Sequence, residues 1–359
     1  MGIIPPVMQS WARHVAKDAA FAAEYEDAYS VNLEQGRVAI ADGVSSAIFS
    51  GRWARILTTQ IAENPPELAE PDGWVNWLAD PRRRWLEDID FPRMPLHQKN
   101  KLRQVGGAYC TLCWIEVGIA PELESTDCCL LRAFAMGDSC VLHLRDGELN
   151  SSFPLTTSAE FDLDPDSICS VATSRDLQQQ LKTIEVHCQD GDVLIMVTDA
   201  IGKWMLDCIE KGDLKPWERL WVLDEAEWLA AIEELRDTNL MKRDDTTMIA
   251  LQIGEGAPLW EVARAAMEAS AQEADSDLSE EAFIKFESVD DTADGAEEPV
   301  FNECDAGLSG ESESESADRT EHDLPSAPAE AAPERAESDA TLTVGDELVV
   351  DDENGPIGA

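Results

Sequence analysis

Four apolar runs of this chain end at, or begin from, acidic residues. Glu26-Asp27 precedes Ala28-Tyr29-Ser30-Val31, and Asp42-Gly43 closes Val38-Ala39-Ile40-Ala41. Thr198-Asp199 closes the run Val193 to Val197, and Asp244-Asp245 opens Thr246-Thr247-Met248-Ile249-Ala250. Carboxylates at strand ends are well placed to converge at one edge of a sheet pair. Ionised together they repel one another and their pKa values rise. A divalent cation reverses that sign, and hard oxygen donors suit Mg²⁺ or Mn²⁺. Two such ions can hold a bridging water, lower its pKa and aim it as a nucleophile at phosphorus. Each piece alone has a plainer reading. Asp-Gly is a strong hairpin signal, Asp199 can cap a helix beginning near Ile201, and Glu26-Asp27 can be a solvated turn. Order and context give the set its weight.

The elements that must position these acids are mostly short strands. Arg37 to Ala41, Ala108 to Val117, Leu130 to Phe134, Cys140 to Leu144, Asp192 to Val197 and Met248 to Ile253 read as strands, with a hairpin turn at Asp146-Gly147. Trp53 to Ile61 has helical spacing, Trp74 to Leu86 is Trp-rich with a break expected at Pro81, and Asp224 to Arg236 is a helix that Asp224 can cap. Strands and helices do not alternate regularly, and no Gly-rich phosphate loop follows the first strand. That argues against a doubly wound parallel sheet and for α+β with largely antiparallel sheets.

Charge divides the chain. Its 359 residues hold 73 Asp and Glu against 27 Lys and Arg, a net charge of −46. From Ala257 onward 30 acidic residues face 4 basic ones, which leaves a net of −20 for the body before it. The expected organisation is a folded body over 1–256, a docking helix within 257–274 and a disordered acidic C-terminal tail over 275–359. The tail serves either as a solubilising linker or as a partner-binding segment; Ser312, Ser314 and Ser316, set among acids, make it a possible kinase substrate. Neither part is basic, so nucleic acid and anionic membrane surfaces are disfavoured partners. No apolar run is long enough to span a bilayer, and the N-terminus lacks the charged and apolar regions of a secretory signal. The nine scattered Cys read as buried thiols of a reducing compartment, so a cytoplasmic location is expected. Cys110 and Cys113 have CxxC spacing but sit inside a strand-like run with no second pair, which disfavours a metal or redox role. Trp74, Trp77 and Trp85 read as packing residues, and His143 and His187 as structural.

The ordered set Glu-Asp-Ala, Val-Ala-Ile-Ala-Asp-Gly-Val, Gly106-Gly107-Ala108, Met-Gly-Asp-Ser-Cys-Val-Leu-His-Leu-Arg-Asp-Gly-Glu-Leu, Asp-Val-Leu-Ile-Met-Val-Thr-Asp-Ala and Arg-Asp-Asp-Thr-Thr-Met resembles the metal-dependent Ser/Thr protein phosphatases of the protein phosphatase 2C family, in its bacterial-like form. The resemblance covers residues 20–253. It implies a four-layer α-β-β-α sandwich with the metals at one end of the two sheets. It also implies two Mn²⁺ or Mg²⁺ ions and a possible third. Asp42 would bridge two ions, Gly43 would lend its carbonyl to one, and Glu26 would serve that same ion. Asp27 would hydrogen-bond the water held there, Asp199 and Asp244 would hold the other ion, and Asp138 with Asp199 would take the third. Asp245, where the family often has Asn, is expected outside the ligand set. The Arg that often grips the substrate phosphate four residues before the Glu-Asp pair is Ala22 here, and the Gly that usually follows the Asp199 position is Ala200. Arg13, Lys17 and Lys203 are candidate replacements for that Arg.

The function implied is hydrolysis of phosphoserine and phosphothreonine in a phosphoprotein that is the substrate of a Ser/Thr kinase. The acidic surface would steer basic or neutral phosphosites toward it. The alternative is a catalytically weak phosphatase-like scaffold that binds phosphoproteins, motivated by Ala22.

Overall fold

The computed structural model describes residues 5–18, 24–70, 72–119, 128–161, 165–171 and 180–270. The expected tail and Ala22 lie outside these residues. Strands β1 (Met8–Val15), β2 (Ala28–Asn32) and β3 (Arg37–Ala41) lead into helices α1 (Ser50–Glu63), α2 (Gly73–Glu87) and α3 (Leu96–Val105). Then come β4 (Tyr109–Cys110), β5 (Leu112–Gly118), β6 (Cys128–Met136), β7 (Cys140–Arg145), β8 (Glu148–Phe153), β9 (Ile168–Cys169), β10 (Lys182–Gln189) and β11 (Val193–Val197). Helices α4 (Asp199–Glu210) and α5 (Glu225–Asp237) precede β12 (Thr246–Ile253), and a last helix, α6, covers 259–270.

Two five-stranded sheets result, ordered β1-β12-β11-β7-β8 and β10-β6-β5-β3-β2, with antiparallel neighbours throughout. Alternation along each strand assigns its side chains to layers. In β3, Val38 and Ile40 join Ile115, Leu194, Met196 and Ile249 in the core between the sheets. Ala39 and Ala41 face the other way, into the layer of α1 and α2 with Trp53, Leu57, Trp74 and Trp114. Sheet β1-β12-β11-β7-β8 is covered on its outer face by α4 and α5 through Trp204, Met205, Trp228 and Ile232. The architecture is therefore α+β, an α-β-β-α sandwich.

The helix over Gly73–Glu87 runs through Pro81 instead of breaking there. Pro81 has no N–H to return to the Trp77 carbonyl, and a proline inside a helix costs about 3 kcal/mol. Burial of Trp74, Leu78 and Trp85 on one face offsets that cost; Trp74 stacks on Trp114 with ring centroids 5.8 Å apart. Trp77, half-buried, stacks on the other side of Trp74 at 5.3 Å. The run Ala108 to Val117 is two strands, since Thr111 leaves the ladder to bond the backbone of Asp42. Strand β1 carries no hydrophobic signature that the sequence could offer; it is an edge strand held by the β12 ladder. Helix α6 places Trp260 in the same layer as Trp221, and Arg264 donates to the carbonyls of Val222 and Leu223 at 3.1 Å each. Among the described residues no helix is long and apolar enough to cross a membrane.

Candidate metal centre at the sheet ends

Strand register accounts for the meeting of the acids. Ala28 at the start of β2 pairs with Ala41 at the end of β3, and Leu112 at the start of β5 pairs with Met136 at the end of β6. One end of this sheet thus carries Asp27, Asp42 and Asp138. In the other sheet Val197 pairs with Met248 and with Cys140, and Thr246 pairs with Val15, so Asp199 and Asp244 leave from one end as well. Asp27 ties the two ends together. Its Oδ2 accepts from Thr198 Oγ1 at 3.0 Å, just past the end of β11, and from Thr247 Oγ1 of β12 at 2.7 Å, both belonging to the opposite sheet's end.

Local backbone chemistry presents each carboxylate. The Gly43 segment passes so close to its neighbours that a Cβ there would lie 2.7 Å from the Glu26 carbonyl and 2.9 Å from Ser50 C. Only glycine fits between them. Gly137 has φ +100, and its missing Cβ leaves room for the Thr111 side chain; the turn delivers Asp138 next in sequence. Thr111 joins these two corners: its Oγ1 accepts from the Asp42 N–H at 3.1 Å and lies 2.9 Å from Ser139 Oγ. Asp199 does not cap its helix. Thr198 holds the N-cap position and Asp199 opens the first turn.

The electrostatics are those of like charges forced together. Burial pushes the Asp42 carboxyl well above its ordinary range, and Asp27, Asp199, Asp244 and Asp138 push it further. Asp27 rises for the same first reason, with Asp245 and Asp199 adding to it against the hydrogen bonds from Thr247 and Thr198. Asp138 is pushed up to about 7, by burial first and then by Asp199. Three carboxylate oxygens at this edge, Asp27 Oδ1, Asp138 Oδ1 and Asp199 Oδ1, are buried with no hydrogen-bond partner among the described residues. A buried acceptor without a donor costs about 1–3 kcal/mol, and more when charged. Orphaned, mutually repelling, all-oxygen donors fit a hard divalent cation. Asp42, Asp138, Asp199 and Asp244 would hold it, with Glu26 and the Gly43 carbonyl at the adjoining corner.

A lysine stands among the acids. Lys242 Nζ lies 2.8 Å from Asp199 Oδ2 and 2.7 Å from Asp244 Oδ2. Burial opposes its charge, yet the two carboxylates hold its pKa above the ordinary lysine value. Lys17 makes a similar contact with Glu26, Nζ to Oε2 at 3.0 Å. Asp245 plays a different part from its neighbour: its two oxygens accept the backbone N–H groups of Lys17 at 2.7 Å and Glu26 at 2.6 Å, which pins the loop before β2. Of the three cations considered for phosphate, Lys17 adjoins the acids. Arg13 stacks over Trp11 at 5.2 Å, and Lys203 is exposed on α4.

No three of these sheet-end acids bring ligand atoms within 4.8 Å of one another. Among the described residues that spacing is met by His143, Cys188 and Asp192. This second group is already satisfied. Asp192 accepts from Arg145 Nε at 3.1 Å and Nη2 at 2.8 Å, from the Gln189 N–H at 3.0 Å and bonds His143 Nε2 at 2.7 Å. It reads as a structural network. Cys110 and Cys113 are buried free thiols.

Sequence reasoning missed Lys242, Thr198, Thr247, Thr111 and Ser139. Thr198 and Ser139 adjoin Asp199 and Asp138 in the sequence and carried that signal; Thr111, Thr247 and Lys242 carried none. Arg236, a helix-end charge by its position, is buried, and it donates to the Ala16 carbonyl at 2.9 Å, to Thr246 Oγ1 at 3.0 Å and to the Asp244 carbonyl.

No family model matches the chain, and no curated protein matches it. Solved structures are similar to it at low identity. The serine/threonine phosphatase PstP/Ppp of Mycobacterium tuberculosis is 14% identical, with a TM-score of 0.44 over 69% of this chain and 99% of that one. The catalytic domain of PstP in complex with two manganese ions is 16% identical, with a TM-score of 0.43 over the same shares. The photosystem II phosphatase PBCP is 15% identical, with a TM-score of 0.41, again over 69% and 99% of the two chains.

Proposed function

We propose that the protein is a metal-dependent phosphoprotein phosphatase acting on phosphoserine and phosphothreonine. The observation that carries this reading is the group of three buried carboxylate oxygens without donors, gathered around Asp42 at one end of the sandwich. When bound, a divalent cation supplies neutralisation of phosphoryl charge and a lowered pKa for water, the chemistry that a phosphate monoester needs. The protein's own part is positioning. Asp42, Asp199 and Asp244 leave three different strands and set the place of the cation relative to the substrate. Asp27, with Oδ2 fixed by Thr198 and Thr247, keeps Oδ1 as the acceptor that orients the attacking water and takes up its hydrogen. Such orientation converts an encounter into a near-attack geometry. Asp245 and Thr111 hold the loops that carry Glu26 and Asp42, so they act through those residues and not on the substrate.

The motif order of the sequence supports the same reading. Mn²⁺ is the expected ion, Mg²⁺ the other candidate, and a kinase substrate phosphoprotein the expected partner. The test is release of phosphate from a phosphothreonine peptide by the full chain under saturating Mn²⁺, with and without chelator. Release that chelator and Asp42→Ala both abolish is the expected result. Tight phosphopeptide binding with no release above the Asp42→Ala background would instead favour a phosphoprotein-binding scaffold.

A further inference from the structure

A cleft of about 550 Å³ opens beside Glu26, between the loop that follows β3, the start of α1 and the helix α3. Its lining runs against the charge of the molecule. Lys17, Arg52, Arg55 and Lys101 border it together with His97, against the two acids Glu24 and Glu26, in a body whose net charge is strongly negative. Two of these cations are answered: Lys17 by Glu26, and Arg52 by Asp88 at 3.2 Å. The other two are not. Arg55 reaches only the Gly51 carbonyl at 3.4 Å, and Lys101 only the Ser45 carbonyl at 3.3 Å, with no carboxylate partner for either among the described residues. In so acidic a body most cations find carboxylates, as Arg83, Arg219 and Arg243 do. On this cleft four cations stand against two acids, and two of the four have no carboxylate to neutralise them.

The cleft is also continuous with the metal centre. Lys17 Nζ bonds both Glu26 Oε2 at 3.0 Å and Ser45 Oγ at 2.7 Å, and Lys101 meets the carbonyl of the same Ser45. Cations therefore lead from the acid edge outward into the cleft. A peptide whose phosphate sits at the metal centre would lay its neighbouring residues along that line.

We infer that this cleft is a subsite for a second anionic group of the substrate, a carboxylate or phosphate on a residue flanking the phosphate that is removed, with Arg55 and Lys101 as its specificity-determining cations. The inference rests on the phosphatase reading for its substrate, but the cleft's affinity for anionic peptides stands apart from turnover. It reverses, at the site itself, the preference for basic phosphosites that the acid-rich surface alone implies. Guanidinium and ammonium groups are suited to either anion, and Arg55 adds the option of a bidentate contact.

The experiment compares three phosphothreonine peptides on the full chain: one with flanking Glu, one with a flanking phosphoserine and one with flanking Lys. Binding is read by fluorescence anisotropy and turnover by phosphate release with Mn²⁺. The wild type is expected to bind the Glu and phosphoserine peptides about tenfold more tightly than the Lys peptide, the two cations together supplying about 1.4 kcal/mol. That preference should shrink in high salt. In R55E/K101E it should fall to about onefold or invert, and R55A/K101A should fall between; both residues are exposed, and circular dichroism checks the fold. The tighter of the two anionic peptides identifies whether carboxylate or phosphate is the natural occupant. Equal binding of all three peptides by the wild type, or a preference that R55E/K101E retains, would overturn the inference. Preferential binding of anionic peptides with no release from any of them would overturn the phosphatase reading and leave the cleft standing.

Discussion

Asp42 carries a charge that its surroundings oppose: it is enclosed, and four aspartates around it raise its pKa. Lys242 shows how the protein lives with such a cluster, since one ammonium satisfies an oxygen of Asp199 and one of Asp244. A cation that enters must compete with it. Lys242→Met, which keeps the stem and removes the charge, is therefore expected to lower the Mn²⁺ concentration for half-maximal phosphate release by about three- to tenfold. A titration of activity against Mn²⁺ checks this. An unchanged midpoint together with a raised KM would assign Lys242 to the substrate phosphate instead. None of this was legible beforehand, because Lys242 is one surface-type lysine in the sequence and acquires meaning only where Asp199 comes to meet it. The acids themselves were legible. Each marks the end of an apolar run, and antiparallel register leaves those ends few places to go. The separate work of Asp245, two backbone N–H groups on two oxygens, could not be told from that of Asp244 at neighbouring positions.

Elements hold these residues to their geometry, and their contributions can be measured one at a time. Arg236 of α5 joins the end of β1 to the start of β12 through Ala16, Asp244 and Thr246. Arg236→Met takes the donor from two buried acceptors, the Ala16 carbonyl and Thr246 Oγ1, and one of two donors from the Asp244 carbonyl. A loss of about 2–4 kcal/mol in chemical denaturation is therefore expected, with weaker Mn²⁺ binding because Asp244 loses part of its support. A loss below about 0.5 kcal/mol would mean that the segment is held by the β-ladder alone. Helix α6 belongs to the body in the same sense. Trp260 is 5% exposed, so Trp260→Ala is expected to cost about 3 kcal/mol, and a body cut at residue 256 to be less stable than one cut at 270. Asp192 gives the fold a defined acid limit. Burial works against its ionisation, yet the hydrogen bonds from His143 and Arg145 prevail and hold it at about 2, below the ordinary 3.8. Its contribution, about 2 kcal/mol, is thus complete above pH 4 and lost as pH falls toward 2. The stability gap between wild type and Asp192→Asn, followed by denaturant titration, should narrow over that window; a constant gap would contradict the assignment. The strand ends, α1, α5 and the hairpin at Asp146-Gly147 could be read from periodicity and turn residues. The passage of α2 through Pro81 and the existence of β1 could not, since tertiary burial decides the first and ladder pairing the second.

At the scale of the whole molecule, two sheets packed face to face put five strand-end or strand-start aspartates on one rim, and the inter-sheet core of Val38, Ile40, Leu194 and Ile249 keeps them there. Composition foretold an acidic molecule without a basic face. It could not foretell the basic cleft, whose cations come from three separate segments: Lys17, the pair Arg52 and Arg55 on α1, and Lys101 on α3. The rim and the cleft adjoin at Glu26 and Lys17, so that a cation site and an anion site lie side by side. That juxtaposition suits a phosphate ester. Everything in this account depends on the rim being a cation site. Calorimetric titration of Mn²⁺ into the metal-stripped full chain and into Asp42→Asn, with thermal melts of each, tests that most directly. The wild type should take up at least two ions and gain thermal stability as it does; Asp42→Asn should lose that uptake while melting no lower than the wild type without metal, since a buried repelled charge has been removed. Uptake that Asp42→Asn leaves unaltered, or no uptake by the wild type, would contradict it.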